Sequence, residues 1–225
     1  MNRRTGNTLA LMTAAPLLFG CSGEAHPSAT QQDPYTLSVA QQDHIQQTFD
    51  RDVSYWKQRG VGAIAQARLV ILGSKTDQFE CPTADEKVTT TYTYHGLSSV
   101  FCPTKNTIII VGGTIRAQLA IGGKQPGADS LVNHEVGHAV QYAKHELDVE
   151  ALADPAKTAP IELQATCYAG NVSHEYDTPA IIEAMRKNFA ETPMDGAHGT
   201  SEQQAASFML GAHGGDCETM LTPRA

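Results

Sequence analysis

Two histidines and a glutamate lie close together in the segment Asn133–Gln141, which reads NHEVGHAVQ. If this segment is helical, His134 and His138 lie one turn apart and differ by only about 40° around the axis, so both imidazoles point to the same place. Glu135 is turned about 100° from His134 and lies beside that place. Two imidazoles with a neighbouring carboxylate can bind zinc and take a proton from water, so the segment predicts a hydrolytic zinc centre. The alternative is that ordinary polar residues on a helix produce the same pattern.

A hydrolytic zinc site needs a third protein ligand. The same helix cannot supply it, because His145 follows His138 by seven residues, which is about 10 Å along the axis. Glu162 is a candidate, since it follows His138 by 24 residues, enough for a turn and a returning antiparallel helix. The alternative is that Glu162 is a solvated glutamate in the first turn of a helix, where the helix dipole favours it.

The N-terminal segment is typical of an exported protein. Residues 1–20 combine Arg3 and Arg4 with an apolar run, as in a secretory signal peptide rather than a membrane span. Leu18 and Gly20 precede Cys21 as in the cleavage box of bacterial lipoproteins, which predicts a lipid anchor on Cys21. The alternative is plain export with cleavage near the same place. Residues 21–40 are small and polar and predict a flexible tether, followed by one domain over 41–225.

Charge and cysteine content restrict the partners and the compartment. Without residues 1–20 the chain has 14 basic and 24 acidic residues, a net charge of −10. This balance argues against nucleic acid and anionic membrane surfaces as binding partners. Four cysteines remain in an exported chain and predict two disulfides with three possible pairings, free thiols being the alternative. They are Cys81, Cys102, Cys167 and Cys217.

The order of predicted elements indicates an α+β domain. Apolar residues at helical spacing predict a first helix over Gln41–Arg59. Runs rich in β-branched residues then predict strands at 67–72 and 106–111, with a further extended segment at 88–96. The C-terminal half is mainly helical, and its four helices are predicted to begin at Asp129 or Ser130, at Pro160, at Thr178 and at Thr200.

Several segments together resemble a known family. HEVGHAVQ is followed by ELQATCYAG, where the bacterial neutral zinc metallopeptidases show HE-x-GH-x-VQ and then ELQADC-aromatic-AG. FCPTKNTIII, HGTSEQQAASFMLG and GGDCETM are also similar to segments of this family, which belongs to the gluzincin group typified by thermolysin. The resemblance covers most of residues 41–221.

The resemblance implies a zincin-like fold, a minimal gluzincin with a small sheet and an active-site helix. It implies one Zn²⁺ held by His134, His138 and Glu162, with Glu135 as general base for a metal-activated water that hydrolyses peptide bonds. The substrate would be a peptide or protein, and the enzyme would work in the bacterial cell envelope, anchored through Cys21, or otherwise in the periplasm or outside the cell. The resemblance also implies the disulfides Cys81–Cys102 and Cys167–Cys217.

Two further expectations concern the reaction itself. His198 matches a histidine of the family pattern and is a candidate donor to the oxyanion of the transition state, the alternative being a surface loop histidine. In zincins, the strand before the metal helix forms the sheet edge on which an extended peptide lies. The strand at 106–111 is therefore predicted to bind substrate, although its apolar run equally fits a core strand.

One position departs from the family pattern. Thr166 stands where the family has an aspartate that accepts a hydrogen bond from a zinc-bound histidine. A hydroxyl can accept this bond without bringing a negative charge, and loss of such a partner commonly costs roughly 10- to 100-fold in affinity or activity. Asp148 or Asp154 is a possible substitute. The alternative function is therefore a catalytically weak or inactive lipoprotein that keeps the zincin fold as a binding or scaffold module.

Overall fold

The computed structural model of the chain describes residues 33–123, 125–148, 155–194 and 196–221. In these residues the fold is mixed α+β, as predicted. The helices are Val39–Gln58 (α1), Gly112–Gly122 (α2), Pro126–Ala143 (α3), Pro155–Tyr176 (α4), Pro179–Glu191 (α5) and Ser201–Ala212 (α6). The strands are Arg68–Leu72 (β1), Gln78–Pro82 (β2), Thr89–Thr93 (β3), Val100–Cys102 (β4) and Thr107–Val111 (β5). The predicted signal peptide and the lipidation site at Cys21 lie outside the described residues.

Strand β5 is the centre of a three-stranded sheet with the order β1-β5-β4. It pairs in parallel with β1 and antiparallel with β4, while β2 and β3 form a separate antiparallel hairpin. Ile108 and Ile110 pack with the helices, whereas Ile109 and Val111 pack with residues of the hairpin. Burial on both faces explains the continuous apolar run of this strand. The prediction that residues 106–111 form a substrate-binding edge is therefore wrong, because β4 lies at that edge of the sheet.

Helix α3 is the central helix of the fold and packs against α1, α2, α4 and α5. Val132, Val136 and Val140 are fully buried in the main core. The helix begins at Pro126 in the first-turn position, so the prediction of a start at Asp129 or Ser130 is wrong. Proline suits the first helical position because its missing N–H would be unpaired there in any case. The Asp129 carboxylate instead accepts hydrogen bonds within the core.

Helix α4 also begins earlier than predicted. It starts at Pro155, and Pro160 lies inside it. Glu162 is therefore the eighth residue of the helix, so first-turn dipole stabilisation does not explain it. The predicted starts of α5 and α6 are confirmed: the Thr178 side chain accepts from a backbone N–H of α5, and Thr200 forms a capping box with Gln203. Helix α2 was not predicted, because it begins at a Gly-Gly pair that is typical of a turn.

The described chain starts to pack before residue 41, where the sequence places the end of the tether. Leu37 is 3% exposed within the main core, and its N–H donates to the carbonyl of Gly73 at 2.9 Å. Ser38 caps α1.

In the part of the chain that the structure describes, no helix combines the length and apolar character needed to cross a membrane.

Two disulfides link elements of the fold that are distant in the sequence. Cys81–Cys102 joins β2 to β4, and Cys167–Cys217 joins α4 to the segment after α6. These are the pairs that the family resemblance implies. Two disulfides are compatible with an exported protein.

A buried ionic cluster lies between α1 and the helices packed against it. Asp52 is fully buried and accepts a hydrogen bond of 2.9 Å from Arg51 Nε. Arg51 also lies 3.6 Å from Asp177. The second carboxylate oxygen of Asp52 has no hydrogen-bond partner among the described residues. Burial raises the pKa of Asp52 to about 7, against the opposing effect of Arg51.

We predict that Asp52 makes the stability of the protein fall as the pH rises. The pKa of Asp52 is higher in the folded chain, about 7 against an ordinary value of 3.8. Its favourable contribution is thus complete below about pH 4 and is lost as the pH rises through 7. Replacing Asp52 by asparagine should reduce the loss of unfolding free energy between pH 5 and pH 8 by about 3 kcal/mol, measured by urea denaturation at both pH values.

The charged and titratable groups around Asp52 are Arg51, Asp129 and Asp177, with His44 bonded to Asp129. They remain in the Asp52→Asn variant, so the difference from wild type isolates Asp52. Asp50→Asn is the matched control, because Asp50 is exposed on the same helix. Equal pH slopes for wild type and Asp52→Asn would contradict the prediction.

Candidate metal centre

His134, His138 and Glu162 meet between helices α3 and α4. The Nε2 atoms of His134 and His138 lie 3.1 Å and 3.3 Å from the same oxygen of Glu162, Oε2. One ligand atom from each of the three residues lies within 4.8 Å of the others, so the cluster can hold a metal ion. No other such group of three forms among the described residues.

The spacing and burial of this cluster fit a small divalent ion. In a tetrahedral site with bonds of about 2.0–2.1 Å, two ligand atoms are about 3.3 Å apart. The observed nitrogen–oxygen distances of 3.1 Å and 3.3 Å match this separation. The side chains of His134, His138 and Glu162 are 13%, 10% and 10% exposed, so the site is shielded but open to a small molecule.

The His138 imidazole is oriented by a buried glutamine. Nδ1 of His138 lies 2.9 Å from Gln141 Oε1, and Gln141 Nε2 donates to the carbonyl of Ile161 at 2.8 Å and to Gln164 Oε1 at 2.7 Å. A backbone carbonyl only accepts, so the Gln141 nitrogen must face Ile161 and its oxygen must face the histidine. In the neutral imidazole of His138 the proton is therefore on Nδ1, which leaves Nε2 free to bind a metal.

Thr166 performs the same task for His134. Nδ1 of His134 lies 2.9 Å from Thr166 Oγ1, and the Thr166 hydroxyl donates to Gln204 Oε1. The single hydroxyl proton is thereby used, so Oγ1 accepts from the imidazole. Because Thr166 itself pairs with His134, no acid from the following loop is needed for this bond; Asp154 lies outside the described residues.

Glu135 lies beside the cluster and is not one of its three ligands. The residue is 4% exposed, and burial raises the pKa of its carboxyl, while His134 and His138 lower it. A buried carboxylate with a raised pKa has the properties of a general base.

The ligand carboxylate remains ionised although it is buried. Burial raises the pKa of Glu162, but His138 and His134 lower it well below its usual range. Conversely, burial lowers the pKa of His138, but Glu162 raises it to about 9. The cluster therefore stabilises positive charge at its centre, as a cation site requires.

His198 lies at the edge of the cluster, as a candidate donor should. Its Nε2 atom is 3.9 Å from Glu162 Oε2, and its side chain is 45% exposed.

Gln141 and Gln204, which orient the imidazoles, are not predicted from the sequence. Gln141 follows His138 by three residues, a spacing that places both side chains on one helix face, whereas nothing local in the sequence marks Gln204.

Two cavities meet at the candidate centre. One has a volume of about 450 Å³ and is bordered by apolar side chains that include Leu131, Phe189 and Met194. The other, of about 360 Å³, is bordered by Tyr92, Phe101 and Leu147. Both are lined by His134, Glu135 and His198, and by Ser99 and Val100 at the start of β4. The cluster thus lies in a cleft that follows the edge strand.

Comparisons with models of protein families, with curated proteins and with solved structures give no match for this chain. What the site can do is therefore inferred from its own residues. These residues establish a buried group of two histidines and one glutamate that can hold a metal ion.

The close approach of α3 to α4 leads to a testable prediction at Gly137, between the two histidines. A Cβ atom on Gly137 would lie 2.4 Å from the carbonyl oxygen of Ala165 in α4. Gly137→Ala should therefore push α4, and with it Glu162, away from α3. We expect a loss of about 1–3 kcal/mol of unfolding free energy, as for other overpacked sites, and weaker binding of zinc in competition with a chromophoric chelator.

Gly62→Ala is the matched control for this substitution, because a Cβ atom on Gly62 would contact nothing within 4 Å. Alanine favours helix over glycine by about 1 kcal/mol, so without the clash Gly137→Ala would stabilise the protein. A stabilised variant with unchanged zinc affinity would show that the two helices do not need this close approach.

Proposed function

We propose that the domain is a zinc-dependent peptidase with a zincin-type fold. The observation that supports this most is the position of Glu135. This buried carboxylate lies beside the cluster of His134, His138 and Glu162, at the point where the two cavities of the cleft meet. Two imidazoles and one carboxylate are a common ligand set of catalytic zinc, in which a fourth place remains for water.

Each residue has a defined role in the proposed reaction. An ion held by His134, His138 and Glu162 would supply Lewis-acid activation of a water molecule. Glu135 accepts the proton of the attacking water and delivers it to the leaving amine. His198, at the edge of the cluster, donates a hydrogen bond to the oxygen of the scissile carbonyl as negative charge develops there.

Strand β4 is the proposed binding edge for the substrate. Among the described strands it pairs with β5 alone, and its first residue, Val100, lines both cavities together with the preceding Ser99. An extended peptide can add to such an edge through backbone hydrogen bonds, with its side chains in the neighbouring pockets. Among the described residues that line the cleft, the side chains other than those of the cluster, Glu135 and His198 are uncharged. We propose that peptides with uncharged residues around the scissile bond are the preferred substrates.

We also propose a family and a cellular location for the protein. The ordered motifs of residues 41–221 support membership of the bacterial neutral zinc metallopeptidases. The N-terminal segment supports export and a lipid anchor on Cys21, which would hold the enzyme in the cell envelope. Glu135 favours an enzyme over a scaffold module, because a site that only binds has no need for a buried base beside the metal.

We predict that Glu135→Gln abolishes peptide cleavage while zinc remains bound. The amide keeps the size of the side chain but cannot accept the proton, and loss of a general base lowers rates by about 10²–10⁴-fold. The test digests a peptide library with wild type and variant, after metal analysis has established the zinc content of both proteins. Wild type should lose activity on treatment with a chelator and recover it with added zinc.

Glu175→Gln serves as the control, because Glu175 is an exposed residue on α4 that pairs with Arg59. This variant should cleave peptides like wild type. Stoichiometric zinc with negligible cleavage by wild type and Glu135→Gln alike would reject the peptidase and leave the binding or scaffold module as the function.

A further inference from the structure

Gln204 lies between the metal ligand His134 and the segment that carries His198. It is the fourth residue of α6 and is 1% exposed. Its Nε2 atom donates to the backbone carbonyl of His198 at 2.6 Å, and its Oε1 atom accepts from the Thr166 hydroxyl. The buried amide of Gln204 thus bonds both Thr166, which orients His134, and the backbone of His198.

The hydrogen bonds from His198 through Gln204 and Thr166 to His134 form a series, and the carbonyl at its end fixes the direction of each bond. The carbonyl of His198 only accepts, so the nitrogen of Gln204 must face it and the oxygen of Gln204 must face Thr166. The hydroxyl of Thr166 has one proton, which this oxygen takes. Thr166 Oγ1 must then accept from Nδ1 of His134, which lies 2.9 Å away. The His198 carbonyl therefore determines which nitrogen of His134 is free to bind a metal.

The same amide holds the His198 segment in place. His198 is followed by Gly199, whose φ of +79° turns the chain into the capping box at Thr200. The His198 side chain is half exposed, with its Nε2 atom 3.9 Å from Glu162 Oε2. The bond from Gln204 attaches the backbone of this surface segment to the buried side of the site.

We infer that Gln204 is a positioning residue that couples His134 to the His198 segment. Its effect on His134 requires only that the cluster binds a metal. Its effect on catalysis through His198 rests on the proposed function. Thr166 and Gln204 form a matched pair, because a hydroxyl can accept from an imidazole and donate to an amide oxygen at the same time. An ionised carboxylate at position 166 could not donate, so its oxygen and the Gln204 oxygen would face each other as two acceptors.

Three substitutions separate the two halves of this coupling. Thr166→Val removes the hydroxyl at nearly constant shape and leaves the bond from Gln204 to His198. Gln204→Met removes both bonds at similar size. Thr166→Ser keeps a hydroxyl and tests rescue. Zinc affinity is measured by competition with a chelator, the metal geometry by the visible spectrum of the cobalt form, and the His198 segment by amide hydrogen exchange over residues 196–200.

Thr166→Val should weaken zinc binding by about 10- to 100-fold and change the cobalt spectrum, without faster exchange over residues 196–200. Gln204→Met should weaken zinc binding similarly and also accelerate that exchange. In the peptidase assay at saturating zinc, Gln204→Met should lower kcat more than it changes KM. Thr166→Ser should bind zinc like wild type. Gln164→Met is the control for loss of a buried glutamine, because Gln164 bonds Gln141 and the Cys217 carbonyl; it should leave exchange over 196–200 unchanged.

Unchanged zinc affinity, cobalt spectrum and exchange in Gln204→Met would overturn the inference. Faster exchange with unchanged zinc affinity would also overturn the coupling, since Gln204 would then hold the loop alone. If Gln204→Met does not fold, Gln204→Leu removes the same two bonds and decides by the same measurements. If wild type cleaves no peptide, the proposed function fails, but zinc affinity and hydrogen exchange still decide the role of Gln204.

Discussion

The candidate centre depends on one requirement: to bind a metal, two imidazoles must present unprotonated nitrogens to one position beside the same buried carboxylate oxygen. Histidine has two tautomers, and only one of them leaves Nε2 free. For both His134 and His138 the choice is made by a chain of hydrogen bonds that ends at a backbone carbonyl. Because a carbonyl can only accept, it fixes the direction of every bond between itself and the histidine. Uncharged side chains suffice for this, so the buried site needs no further ionised group.

The packing of the helices keeps the residues of these hydrogen-bond chains next to one another. Helix α3 is held from several sides, and α4 approaches it so closely that only glycine fits at position 137. Helix α6 approaches α4 in the same way, because a Cβ atom on Gly211 would lie 1.9 Å from the carbonyl oxygen of Cys167. This second contact places Gln204 next to Thr166. Short distances between helix backbones are therefore what bring amide side chains from three helices to one metal site.

The sequence predicts the local parts of this arrangement well and the nonlocal parts poorly. Helical periodicity places the two histidines on one face of a helix, and the caps at Thr178 and Thr200 are short-range features. The predicted start of α4 at Pro160 is wrong because Pro160 lies inside a helix that begins at Pro155. The position of β5 within the sheet depends on strand order, which periodicity does not determine. No local pattern marks Gln204, because its hydrogen-bond partners are 38 and six residues away along the chain.

Thr166 shows why a single position can be misleading in a sequence. Compared with the family pattern, threonine replaces a charged acceptor and suggests a weakened site. In the fold, the Thr166 hydroxyl accepts a hydrogen bond from His134 and donates one to Gln204, which an ionised carboxylate cannot do. The lost charge is partly offset by a longer chain of bonds that reaches the His198 carbonyl. The orientation of the histidine is therefore preserved, while its basicity is set by a neutral partner, so the change should affect the strength of metal binding more than its geometry.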